Sequence, residues 1–144
     1  MLKHVPPILS PELFLCLMQM GHGDELVVAD GNYPSESNAQ RILRADGHGA
    51  VPLIEAILKF LPVDTFVDDV AVVMRPVDKQ APEPPIWADF RRLLRDAEGR
   101  EVPLTTIDRD AFYHRSRSAY AILATGETAL YANLIIKKGV VAPS

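Results

Sequence analysis

Leu26-Val27-Val28-Ala29 is an unbroken apolar run, with Gly21-His22-Gly23-Asp24 shortly before it and Asp30-Gly31-Asn32-Tyr33-Pro34 directly after it. A strand covered on one face alternates apolar with polar residues. An unbroken run implies cover on both faces, as in an inner strand of an α/β sheet. Asp30 then stands at the carboxyl end of that strand. The neighbouring segments can supply the cover. Ser10 is a good N-cap, Pro11 suits a first helical position, and Leu13 to Met20 is largely apolar up to Gly21, which predicts a short, mostly buried helix. Pro52 to Leu61 repeats the helical pattern through Leu53, Ile54, Ile57, Leu58 and Leu61, and Val70 to Met74 reads as another strand. Val77 to Pro85 holds three of the 12 prolines and reads as a surface loop. Ile86 to Ala97 then sets Trp87, Phe90, Leu93 and Leu94 against Arg91, Arg92, Arg95 and Asp96, an amphipathic helix. Strand-like runs follow at Leu104 to Ile107, Tyr120 to Ala124 and Leu134 to Ile136, with a short helix over Asp110 to Ser116. This alternation predicts an α/β fold, a layered single domain over residues 1–144 with a mixed β-sheet flanked by helices.

Composition narrows the function. The chain has 144 residues, 48% of them hydrophobic, which is enough to bury roughly two-thirds of the unfolded surface in one core. Fifteen basic residues face 19 acidic ones, for a net charge of −4, and no stretch gathers Lys and Arg without interleaved acids. Nucleic acid and anionic membrane are therefore not expected partners. The N-terminal segment lacks a signal-peptide core, and no run of about 18 apolar residues suits a bilayer span. Cys16 is the only cysteine, so no intrachain disulfide forms and the expected compartment is the reducing cytoplasm.

Polar residues crowd two loop regions, Gly21 through Asp30 and Arg109 together with Tyr131-Ala132-Asn133. Loops held by a rigid sheet are where sites usually lie. His22 sits between two glycines whose backbone is free to take positive φ, and an imidazole exchanges protons near neutrality. On the residues alone, Gly21 as a plain helix C-cap with His22 as an ordinary surface residue explains the pattern equally well. Asp30 is likewise explained by a cap or turn, and Tyr131 by a packed aromatic whose hydroxyl is satisfied by backbone. No metal is expected, because the acids around His22 come with a single imidazole and match no His-x-x-x-His spacing. Gly47-His48-Gly49 has Pro52 where a dinucleotide-binding turn would carry its third glycine, so no cofactor follows from it. Cys16, inside an apolar helix, reads as a small core residue.

Together the segments resemble the family of L-fucose mutarotase and D-ribose pyranase, and its L-fucose mutarotase branch most. The strings that carry the likeness include Ile8 to Leu13, Met20-Gly21-His22-Gly23-Asp24-Glu25, Ala29-Asp30 with Tyr33-Pro34, Arg44-Ala45-Asp46-Gly47, Ala111-Phe112-Tyr113 with Arg115, Thr125-Gly126-Glu127, and Tyr131-Ala132-Asn133 through Lys137-Lys138-Gly139-Val140. The resemblance implies a cofactor-free isomerase that interconverts the α and β anomers of a free monosaccharide, L-fucose first, by opening and reclosing the pyranose ring. It implies His22 as catalytic acid/base; because ring opening needs one proton transfer at the anomeric hydroxyl and one at the ring oxygen, His22 is expected to handle either of them and Tyr131 or a bound water the other. Asp30, Arg109, Tyr131 and Asn133 are implied to contact the sugar, with the Ala132 backbone lining the same pocket. It further implies a homodecamer of two pentamers with sites near subunit boundaries. The chain departs from the usual pattern at Gly31-Asn32 and Asp110, which flank Asp30 and Arg109 and bear on substrate preference. A D-ribose pyranase-type mutarotase, a sugar-binding protein without turnover, and an isomerase acting at carbon are the competing readings.

Overall fold

Val27 and Val28 point to opposite faces of a sheet, and both are fully buried, as the unbroken apolar run requires. The computed structural model describes residues 1–144. Its helices are α1 (Pro11–Gln19), α2 (Ser35–Asn38), α3 (Ala50–Ile57), α4 (Ile86–Glu98) and α5 (Arg109–Ser118). Its strands are β1 (Glu25–Ala29), β2 (Ile42–Ala45), β3 (Ala71–Met74), β4 (Thr105–Ile107), β5 (Ala121–Thr125) and β6 (Leu134–Lys137). They form one six-stranded sheet in the order β2-β5-β1-β6-β3-β4. The β2-β5, β5-β1 and β3-β4 pairs are parallel, and β6 runs antiparallel to both β1 and β3. Five strands therefore point the same way, with β6 reversed in their midst. This is the mixed sheet expected from the alternating pattern.

The faces divide the core. Leu26, Val28, Leu123, Leu134, Ile136 and Val73 pack with α1, α3 and α4, through Leu13, Leu53, Ile54, Ile57, Trp87, Phe90 and Leu94 among others. Val27, Ala29, Val72, Ile122 and Ile135 pack on the other side with Phe112 of α5 and with Tyr33. Cys16 is buried, and burial pushes its thiol pKa up. No helix is long and apolar enough to cross a membrane.

Two elements went unread in the sequence. Helix α2 is Ser-Glu-Ser-Asn, four residues without an apolar side chain, and so has no helical period to detect. Strand β2 pairs only with β5 at one edge of the sheet, and its residues are half-buried or exposed, so it lacks the apolar run of an inner strand. Helix α3 also begins earlier than Pro52. Proline is tolerated there because the first turn needs no N–H for an intrahelical bond. The Glu127 carboxylate accepts from the Ala50 N–H at 3.0 Å and so helps close that helix end.

Candidate functional site

At the carboxyl ends of the parallel strands, Asp30 follows β1 directly and is buried. The side chain of Asn133, just ahead of β6, bridges it in two directions. Asn133 Oδ1 accepts from the Asp30 N–H at 2.8 Å, and Asn133 Nδ2 donates to Asp30 Oδ2 at 3.1 Å. The Ala132 N–H donates to the same oxygen at 3.2 Å, and the Asn32 N–H donates to Asp30 Oδ1 at 3.0 Å. Burial pushes the Asp30 pKa up, with these donors opposing it. Asp30 also lines an open cavity of about 420 Å³, shared with Tyr33, Ser35, Arg44 and Thr125. A carboxylate held this firmly presents its remaining acceptor positions in a fixed direction.

Tyr131 stands in the left-handed region at φ 57°. Its carbonyl accepts from Trp87 Nε1 at 3.0 Å, and its hydroxyl accepts from the Val77 N–H at 3.1 Å. The hydroxyl is thus tied to backbone, while its own proton is left to donate. Val77 in turn lines a cavity of about 180 Å³ with Arg109, Arg75, Lys79 and Asp108. Arg109 opens α5, just beyond the carboxyl end of β4. Arg109 thus shares a cavity with Val77, whose N–H holds Tyr131, and the next two residues, Ala132 and Asn133, hold Asp30. The structure puts five of the six site residues expected from sequence on one edge of the sheet, with Asp30 and Arg109 lining separate cavities. They lie at the carboxyl edge, where open α/β sheets usually take ligands.

His22 lies elsewhere. It precedes β1, and the Gly23 N–H donates to the Lys138 carbonyl at 2.9 Å beyond the far end of β6. Glycine suits this turn, because residue 23 has φ +86°. The five residues of β1, about 16 Å of extended chain, intervene between the His22 end and Asp30. The sequence placed His22 and Asp30 in one polar region, but strand geometry separates them. The imidazole is 42% exposed, and its Nε2 lies 3.0 Å from Asp64 Oδ1. The Phe66 ring lies 5.0 Å from the imidazole, tilted by 54°. Asp64 is buried, and its Oδ1 also accepts from the Thr65 N–H at 2.9 Å and the Phe66 N–H at 3.2 Å. Burial alone would push the Asp64 pKa up. The Phe66 N–H, His22 and the Thr65 N–H more than offset it and hold the carboxyl below its ordinary value.

Asp64 was missed in the sequence because it falls in an irregular stretch between α3 and β3. Its only local signal is an acid ahead of Thr65 whose side chain caps the next amides, a common turn device. Nearby, Arg115 spans Glu25 and Asp69, with its closest contact to each at 2.6 Å, and braces the same end of the sheet. No group of three or more His, Cys, Asp or Glu side chains converges to hold a metal ion.

A profile described as the RbsD / FucU transport protein family matches residues 3–141. The human protein named fucose mutarotase is 50% identical over 147 residues, covering 98% of this chain and 95% of that one. A crystal structure of the fucose mutarotase in complex with L-fucose from Streptococcus pneumoniae superposes with a TM-score of 0.93 at 46% identity, covering 98% of this chain and all of that one. Bacillus subtilis RbsD complexed with D-ribose superposes with a TM-score of 0.75 at 20% identity, a likeness of fold.

Proposed function

This chain belongs to the RbsD / FucU family, and on that premise we propose that it is an L-fucose mutarotase, which interconverts the α and β anomers of the free sugar by opening and reclosing the pyranose ring. The observation that carries the reading is its match, from end to end, to a fucose mutarotase described in complex with L-fucose. The fucose preference over ribose rests on the difference between 46% identity to that protein and 20% to the ribose-complexed one.

The chemistry needs only groups this chain carries. His22 takes the proton from the anomeric hydroxyl. The electron pair left on O1 forms the C1=O bond as C1–O5 breaks, and O5 takes a proton from the Tyr131 hydroxyl, which the Val77 N–H polarises. Rotation about C1–C2 and reclosure by the reverse transfers deliver the other anomer. A positioned acid or base contributes about 10² to 10⁴ in rate, enough for a reaction that water already supports. Asp30 and Asn133 orient sugar hydroxyls, the Ala132 backbone lines the pocket, and Arg109 donates to acceptor oxygens.

Because His22 and the Asp30 group stand at opposite ends of β1, one chain does not close this site. His22 of a neighbouring copy completes it. A head-to-tail contact of this kind closes into a ring when its rotation allows. The reading is therefore a ring-based homo-oligomer, a decamer by family resemblance, working in the cytoplasm.

Saturation-transfer proton NMR on equilibrated L-fucose tests the activity. The native protein speeds anomer exchange, whereas His22→Ala and Arg109→Ala variants do not. Mixing and reassembling the two inactive variants in equal amounts then restores about one quarter of native exchange, because one head-to-tail junction in four joins two intact halves. Recovery of nothing places both halves in one chain. No exchange with the native protein moves the reading to a sugar-binding protein without turnover.

A further inference from the structure

We propose that Trp87 is a positioning residue for the sugar site: its indole N–H sets the Tyr131–Ala132 peptide, which in turn aims the Tyr131 phenol and the Asp30 carboxylate. The proposal rests on the mutarotase reading above. Trp87 lies in the first turn of α4, 5% exposed, among the apolar side chains that pack on the sheet. Packing alone asks only for a large apolar ring there, as Phe90 supplies on the same helix. An indole brings one further group, a buried N–H that needs an acceptor. Its acceptor is the Tyr131 carbonyl at 3.0 Å, 44 positions away. The backbone of Trp87 is itself fixed, because its N–H donates to the Pro84 carbonyl at 3.1 Å and Pro84-Pro85 leads directly into the helix.

A trans peptide is planar, so the Tyr131 carbonyl and the Ala132 N–H point in opposite directions. The carbonyl meets Trp87, and the N–H meets Asp30 Oδ2 at 3.2 Å. One peptide thus links α4 to the carboxylate and is clamped from both sides. Turned over, it would lose both bonds and set the Tyr131 oxygen against the Asp30 carboxylate. Ala132 is fully buried, so water does not replace a lost partner there. Tyr131 itself stands at φ 57°, a conformation that an L side chain holds only where its surroundings impose it. The Val77 N–H fixes the phenol end of that residue, and Trp87 fixes its carbonyl. Trp87 lines neither the cavity of Asp30 nor that of Arg109, so its effect passes through this peptide.

Trp87 is the chain's only tryptophan, so biosynthetic replacement of tryptophan by benzothienylalanine changes this one side chain, exchanging its N–H for sulfur at nearly constant shape. Trp87→Phe removes the N–H together with part of the ring. The kcat/KM for L-fucose, from saturation transfer at a temperature where each protein is folded, is expected to fall about tenfold in both, an effect that one hydrogen bond can carry. The loss is shared between a lower kcat and a higher KM, because the peptide sets both Tyr131 and Asp30. In ¹⁵N-resolved spectra the Ala132 amide, moved downfield by its carboxylate acceptor, shifts upfield and exchanges faster with solvent in both proteins. A merely structural role predicts a lower unfolding midpoint with native kcat, native KM and an unmoved Ala132 amide. That result in the benzothienyl protein overturns the proposal. Full activity there beside a defective Trp87→Phe overturns it as well, since the effect then belongs to lost volume. Where Trp87→Phe does not fold, the benzothienyl protein decides alone, and its own failure to fold makes the N–H a requirement of the fold and overturns positioning. No exchange by the native protein overturns the mutarotase reading instead, and the Ala132 amide still shows whether the clamp exists.

Discussion

Asn133 illustrates how a single side chain can make a buried acid tolerable. Its amide oxygen satisfies the Asp30 N–H and its amide nitrogen donates to the Asp30 carboxylate, so both halves of one side chain serve one neighbour. Asn133→Ala leaves a buried N–H unpaired and strips a donor from a buried charge, a loss of about 2–3 kcal/mol in urea unfolding at neutral pH. The pH sign follows from Asp30, whose folded pKa is raised above its unfolded value. Charged Asp30 weighs against the folded state above that raised pKa, and protonation relieves it as pH falls through it. Removing the Asn133 donor raises the pKa further. The variant's deficit is therefore largest at neutral pH and shrinks in mild acid to the part owed to the unpaired Asp30 N–H, a narrowing that urea midpoints across pH would show. Residues like Asn133 were legible as polar points in loops and as motif members, but the pairing across 103 positions was not. The same holds for Asp64, which reaches His22 over 42 positions and stands in no motif.

At the scale of elements, strong periods were readable and short polar ones were not. β1, β3, β6 and α4 each bury a run or stripe whose spacing shows in the chain. α2 and β2 owe their form to neighbours instead, β2 to the free edge of β5 and α2 to its contacts with α5 and β5. Glu127 is another dependency of this kind. One carboxylate oxygen accepts from the Ala50 N–H at the start of α3, and the other accepts from Thr128 and Ala129 at 2.9 and 3.1 Å in the turn that leads to Tyr131. A negative group at a helix N-terminus also suits the helix dipole. Glu127→Ala thus costs about 1–2 kcal/mol, in the range of a lost N-cap. It also speeds hydrogen exchange at the amides of Ala50, Thr128 and Ala129, while the β1-β5 ladder keeps its protection. Uniform loss of protection across the sheet would mean that Glu127 supports the whole fold and not these two junctions.

For the whole molecule, the sheet's polarity is the decisive fact. Neighbouring loops in sequence become opposite ends in space when a strand lies between them, which is why His22 and Asp30, only eight positions apart, look like one site on paper. The end that carries His22 also carries apolar surface that a lone chain leaves in water: Leu15 at 55%, Met18 at 74% and Phe66 at 69% exposed. Met18 and Leu15 belong to α1, which leads directly into the His22 turn. If His22 serves the sugar pocket of a neighbouring copy, this surface is where that copy rests, and burying it drives the assembly. The double variant Leu15→Lys, Met18→Lys places two charges there without touching the core. It is expected to sediment as a monomer, to unfold in urea at the native monomer's stability, and to lose anomer exchange on L-fucose. Raising its concentration restores part of the exchange, because the defect is in association and every chemical group is still present. A variant that stays assembled and active shows that the junction lies on another face, and one that is monomeric yet fully active shows that a single chain closes its own site.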